Sequence, residues 1–267
     1  MMIMHLTWLD NNSWLLELGP HRLLIDPWLV GELVFGQQGW LFRGVKLRSP
    51  ALDLNGIDLI LLSQGLEDHA HPPTLAQLDR AIPVVGSPAA ARVAQRLGYH
   101  QVTALGHGQV FELGDWLRLE AVPGALLGPL TVENGYVISD RQTGLRLFYE
   151  PHGFHAPSLQ AQDPMDVVIT PVVDLTLPLV GPIIRGQTSA LERVAWLQPQ
   201  VLLPTAAAAE TEYSGTLATL LQSRGSAASL QQTLEQQGLT TEVISPEVGK
   251  RVTLELTPHA QPSPLSA

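Results

Sequence analysis

The stretch LILLSQGLEDHAH, residues 59–71, decides the fold. Leu59 to Leu62 form an unbroken apolar run, short enough to predict a strand buried on both faces rather than a helix. Polar and titratable residues crowd the positions that follow. Pro72 and Pro73 then suit the first turn of a helix, whose apolar spacing runs from Thr74 to Leu78. The run IPVVGS at 82–87 predicts a second strand, and helical spacing resumes from Ala89 to Leu97, with Gly98 at its end. Strand, helix, strand and helix in that order make an α/β crossover pattern with parallel strands.

Outward from this centre, short apolar runs alternate with turn signals. LTWL, SWLLEL and RLLIDPWL precede it, and a second strand-rich block fills 109–150 with VFELG, LRLEAVP, NGYVISD and LRLFYE. Next come DVVITPV, a helical stretch from Thr188 to Leu197, the strand VLLP, a helix from Ser226 to Gln237 and strands near TEVIS and RVTLEL. The order predicts two β-rich halves covered by helices. We expect one domain over 1–257, followed by a flexible tail over 258–267 that is rich in Pro, Ser and Ala.

Composition narrows the chemistry. The 267 residues carry a net charge of −10 with only 15% charged side chains, which argues against a phosphate-tracking surface and so against nucleic acid as a partner. With no cysteine, any transition metal must be held by His, Asp or Glu. That directs attention to the nine histidines. The N-terminus lacks the basic start of a signal peptide, and no apolar run is long enough to span a membrane, so a cytoplasmic protein is expected.

Three stretches together resemble the metallo-β-lactamase superfamily. RLLIDPWL at 22–29 looks like its early strand ending in Asp-Pro, and 59–71 stands where the family has a strand followed by H-x-H-x-D-H. QTSALERVAWLQPQVLLPTA is similar to its last helix and the strand that ends in Pro-x-His. The resemblance implies a four-layer αββα sandwich, two mixed sheets flanked by helices. The combination S-Q-G-x-x-D-H-x-H with Y-E-P-H is similar to a divergent subgroup of cyanobacteria and plant chloroplasts, described as metallo-hydrolase-like; a plant relative would reside in the stroma.

Residue by residue the family's ligands are thin. Gln64 and Leu66 replace the first two histidines, and Asp68 and His69 remain. V-P-x-x-H reads Val122-Pro123-Gly124-Ala125-Leu126, the G-D-T strand end reads Glu150-Pro151-His152, and the final Pro-x-His reads Pro204-Thr205-Ala206. Two ligands are too few for zinc. His71 lies two residues beyond His69, and Glu150 and His152 sit at a strand end that faces the metals in the family, so Asp68, His69, His71, Glu150 and His152 are the candidate cluster for one Zn, Mn or Fe ion. A metal-free site is the alternative: Asp68 then caps the helix start, His71 faces solvent, and Glu150 pairs with His152. Asp26 is expected to support the loops from behind the site.

Two functions follow. In the first the protein is hydrolase-like, with Asp68, Glu150 and His152 as catalytic groups, acting on a small molecule through the metal or by acid and base chemistry. In the second it is non-catalytic and uses the former cleft to bind an apolar or anionic small molecule or a protein partner. Apolar segments at 28–42, 126–130 and 172–187 are expected to line that cleft or form a homodimer contact, and Arg185, the cation within the third, is the candidate for a substrate carboxylate or phosphate.

Overall fold

In a computed structural model, residues 1–48, 52–127 and 131–259 are described. The strand read from 59–62 lies inside the first of two large sheets. Its strands run Arg251–Leu256, Met2–Trp8, Trp14–Leu18, His21–Ile25, Leu59–Leu62, Val84–Gly86 and Val102–Ala104. The first four pair antiparallel and the rest parallel. The second sheet repeats the design with Glu242–Val243, Val201–Thr205, Val167–Pro171, Arg146–Tyr149, Thr131–Asp140, Leu117–Leu127 and Val110–Leu113.

Side-chain alternation explains the layers. Leu59 and Leu61 point into the core between the sheets, where they join Trp14, Tyr136, Leu147 and Ile169. Ile60 and Leu62 point outward against Ala90 and Ala94 of the helix Pro88–Arg96. On the other flank Phe148 and Val168 meet Ala190, Val194 and Leu234 of the helices Gln187–Leu197 and Ala227–Gln236. A strand buried on both faces must be apolar throughout, which is why 59–62 has no polar break. The result is the αββα sandwich.

Local differences have local causes. The helix expected from Thr74 to Leu78 is one turn, Pro72–Leu75. The segment 172–187 folds into a hairpin, Asp174–Leu177 and Gly181–Ile184, whose tip residues Leu179 and Val180 project into solvent while Asp174 and Arg185 at its base line a cavity. In 28–42, Trp28 is buried and Trp40 exposed. Residues 128–130 and 260–267 lie outside the described residues, and with them most of the expected apolar stretch at 126–130 and most of the tail. Among the described residues no helix is long and apolar enough to cross a membrane.

Candidate functional site

Parallel strands deliver their ends to one edge of a sandwich, and the titratable residues gather there. Asp26 follows His21–Ile25, Ser63 and Gln64 follow Leu59–Leu62, and Glu150 follows Arg146–Tyr149. Asp26 adopts φ 42, an uncommon conformation in which Asp and Asn are enriched among non-glycine residues.

His69 is the centre of the site. Its Nδ1 donates to Asp26 Oδ2 at 2.7 Å and its Nε2 lies 3.0 Å from Asp68 Oδ2. Asp26 in turn accepts the Ser63 N–H at 2.7 Å, the Ser63 hydroxyl, and the Tyr149 hydroxyl at 2.6 Å. Burial alone would lower the His69 pKa, but the charges of Asp68 and Asp26 outweigh it and push it up to about 10. Burial would likewise raise the Asp68 carboxyl, yet the His69 cation brings it below its ordinary value.

His152 enters from the second sheet, its ring centroid 5.0 Å from that of His69. The Gln64 amide nitrogen lies 3.2 Å from both ring nitrogens. A group so close to both, without colliding with the carbon between them, sits over the ring face, so it leaves the in-plane nitrogen lone pair unused. Burial and the neighbouring His69 charge lower the His152 pKa to about 4, which keeps the imidazole neutral. Potential ligand atoms of Asp68, His69 and His152 all lie within 4.8 Å of one another.

The other two members of the expected cluster are not brought to this trio. His71 caps the one-turn helix: its Nδ1 accepts the Thr74 N–H at 3.3 Å, and its Nε2 lies 3.1 Å from the Glu32 carbonyl. The cap expected of Asp68, and the solvent-facing role considered for His71, both give way to this arrangement. Glu150 does not pair with the His152 ring. It is fully buried against Arg193, 2.7 Å away, and accepts the backbone N–H groups of His152 and Gly153. Orphan backbone donors capture both side chains, because an unpaired N–H is costly once buried.

The former Pro-x-His strand end is rebuilt as well. Thr205 accepts the Trp14 indole N–H at 3.1 Å and donates to the Asn11 carbonyl at 3.1 Å, while Ala206 holds φ 55. Gln64, Tyr149 and Arg193 are groups the sequence reading did not assign to the site. Arg193 carries one usable signal, a charge at helical spacing among the buried Ala190, Val194 and Leu197. Glu133 is also buried beside the site. Burial raises its carboxyl pKa, against the Ser87 hydroxyl and the His69 charge.

The family model described as the beta-lactamase superfamily domain matches residues 5–206. The chain belongs to that family. A metal-dependent hydrolase of Halobacterium salinarum is 29% identical over 223 residues, 75% of this chain and 82% of that protein. Among solved structures, a metallo hydrolase from Ignicoccus hospitalis has a TM-score of 0.68 at 18% identity, covering 96% of this chain and 100% of that one. An isothiocyanate hydrolase from Delia radicum gut bacteria has a TM-score of 0.69 at 16% identity, covering 95% and 99%. These likenesses fix a metallo-β-lactamase fold, and within it this superfamily member presents a candidate metal site of Asp68, His69 and His152.

The donor set fits a divalent ion. Two imidazoles and one carboxylate suit Zn, Mn or Fe. Asp68 Oδ1 and Gln64 Oε1 are buried without a hydrogen-bond partner, as oxygens facing an ion or its bound water would be. Beyond His152 the same loop turns away from the trio. Phe154 and His155 line a separate cavity of about 760 Å³ with Arg185, Ser189, Glu192 and Trp196, and none of the trio lines it. His155 is engaged there, 3.1 Å from Glu192 and 3.2 Å from the Ser189 hydroxyl.

Proposed function

We propose that the protein is a hydrolase of small molecules in which Asp68, His69 and His152 hold one divalent ion of Zn, Mn or Fe. The observation that supports this best is the convergence of that trio, with one Asp68 oxygen left buried and unpartnered. When bound, the ion would polarise a carbonyl or phosphoryl oxygen and activate a water. The chain's own residues prepare the donors. Asp26, held by Ser63 and Tyr149, fixes the His69 ring through Nδ1 and leaves Nε2 aimed at Asp68. Ligation by His69 requires loss of its Nε2 proton, so uptake of the ion releases a proton and weakens toward acid pH.

Metal-free acid and base chemistry is less well supported. Glu150 is sealed against Arg193, and a histidine whose pKa is about 4 accepts protons poorly near neutrality. On the substrate side, Arg185 stacks on Phe154 at 4.8 Å and lines the adjacent cavity, where its guanidinium suits a carboxylate or phosphate on a molecule with an apolar body.

Metal analysis after repletion with Zn²⁺, Mn²⁺ or Fe²⁺ tests the reading. Wild type should retain about one equivalent and His152→Ala far less, and wild-type occupancy below ~0.1 equivalent would overturn it. In a screen of esters, lactones and phosphodiesters, turnover should vanish in His152→Ala. Arg185→Ala should raise KM for anionic substrates with kcat little changed, the pattern of binding lost equally from ground and transition state.

A further inference from the structure

We infer that Glu150 and Arg193 form a buried bracket that sets the position of the His152 imidazole, which makes both of them positioning residues; the inference rests on the metal reading above. Both side chains are fully buried, and Arg193 Nη2 meets Glu150 Oε2 at 2.7 Å. Each carboxylate oxygen of Glu150 also holds the loop. Oε1 accepts the His152 N–H at 3.0 Å and Oε2 the Gly153 N–H at 2.7 Å.

The guanidinium is fixed on its other side. Arg193 Nη1 donates to Thr170 Oγ1 at 2.7 Å and to Ser189 Oγ at 2.9 Å, and the Ser189 hydroxyl donates to the Gly153 carbonyl. The chain thus returns to the same loop from strand and helix together. The His152 carbonyl, for its part, accepts the Arg185 N–H at 2.8 Å. With its N–H and C=O both held, the His152 backbone has little freedom, and only the ring torsions remain to aim the imidazole. Gly153 permits this crossing, since a Cβ there would lie 1.6 Å from the Arg185 carbonyl oxygen.

A buried ion pair is a weak device for stability, because desolvation offsets most of its attraction. Its geometry is what an apolar pair of the same volume could not reproduce. A carboxylate offers two acceptors to two adjacent N–H groups while still meeting a guanidinium, whereas a glutamine offers one acceptor and repels the guanidinium with its own N–H₂. The bracket serves His152 from behind, as supporting partners of metal-bound imidazoles do.

The test measures Zn²⁺ affinity by chelator competition in wild type, Glu150→Gln, Arg193→Lys and Leu234→Ala, with amide hydrogen exchange at His152 and Gly153 followed by NMR. Glu150→Gln should weaken Zn²⁺ binding by about 10–100-fold, the range for lost supporting partners, and should speed exchange at both amides. Arg193→Lys keeps the charge but offers its donors from one nitrogen instead of the two that reach Glu150 on one side and Thr170 and Ser189 on the other, and should fall between. Leu234→Ala, a buried apolar truncation under the outer helices, should lower Tm while leaving affinity within about twofold, because it removes no hydrogen bond from Glu150, Arg193 or the loop. Should Glu150→Gln not fold, Arg193→Lys and Ser189→Ala carry the same expectation. Wild-type affinity in the folded bracket variants would overturn the inference alone. A wild type that takes up none of Zn²⁺, Mn²⁺ or Fe²⁺ overturns the metal reading, and the inference with it; if only Mn²⁺ or Fe²⁺ is taken up, the affinity series is read with that ion.

Discussion

Two loops at the open edge of the sandwich, 63–71 and 150–155, were dealt similar hands and played them the same way. Each carries titratable residues two positions apart: His69 with His71, and Glu150 with His152. In each pair one member enters the candidate metal site and the other goes into the scaffold. Alternation along an extended strand puts i and i+2 on one side. These pairs lie beyond the strand ends, in turns where backbone N–H groups lose their ladder partners, and the spare side chain is taken up as their acceptor. The difference between the two loops is electrical. In the first the central histidine is charged and flanked by carboxylates; in the second it is neutral and its support comes through the backbone.

The largest expected effect breaks the first loop. His69→Ala leaves Asp26 and Asp68 without their cation and should cost about 3–5 kcal/mol in denaturant unfolding, the range for an uncompensated buried charge. A loss below ~1 kcal/mol would contradict the charged His69, since neutral partners would leave little to uncompensate.

The next effect separates the scaffold from the site by pH. Lys46 Nζ is buried over the Trp28 ring, donates to the Leu9 carbonyl at 2.9 Å and lies 3.9 Å from Asp10. Burial lowers its pKa from 10.5 to about 8, with Asp10 opposing. Between those values the unfolded chain binds more protons than the folded one, so this group makes stability rise from about pH 8 to 10.5, by up to ~3 kcal/mol. Unfolding of wild type and Lys46→Met at pH 7.5 and pH 10 checks it: the variant should lose that rise, with or without bound metal. An equal rise in both proteins would remove Lys46 from the account.

The smallest effect sharpens the contrast within one loop. His71→Ala should cost about 1 kcal/mol through the lost helix cap, His71→Asn should recover most of it, and both should keep wild-type metal occupancy. Metal loss in both would return His71 to the ligand set.

The layers of the fold were legible because burial imposes a period. Leu59–Leu62 had to be apolar on both faces, and the helices at 88–96, 187–197 and 227–236 show stripes that a sheet face must cover. Asp68, His69 and His152 were legible as titratable residues at strand ends beside a known motif. Of their partners only Asp26 was, as a support behind the site. Asp26 and Tyr149 are 123 residues apart and meet through one hydrogen bond. Glu150 and Arg193 are 43 apart and look in sequence like an end-of-strand acid and a misplaced helix charge.

The sequence by itself therefore determined the sandwich and the short roster of groups able to hold a metal. Periodicity and residue chemistry are local properties, and they survive in one dimension. Only the tertiary structure decided which of the five candidates converge, that His71 and Glu150 serve the backbone, and that one buried histidine is charged while its neighbour is neutral. Those outcomes depend on distances of a few ångströms between distant segments, and on which donors burial leaves unpaired.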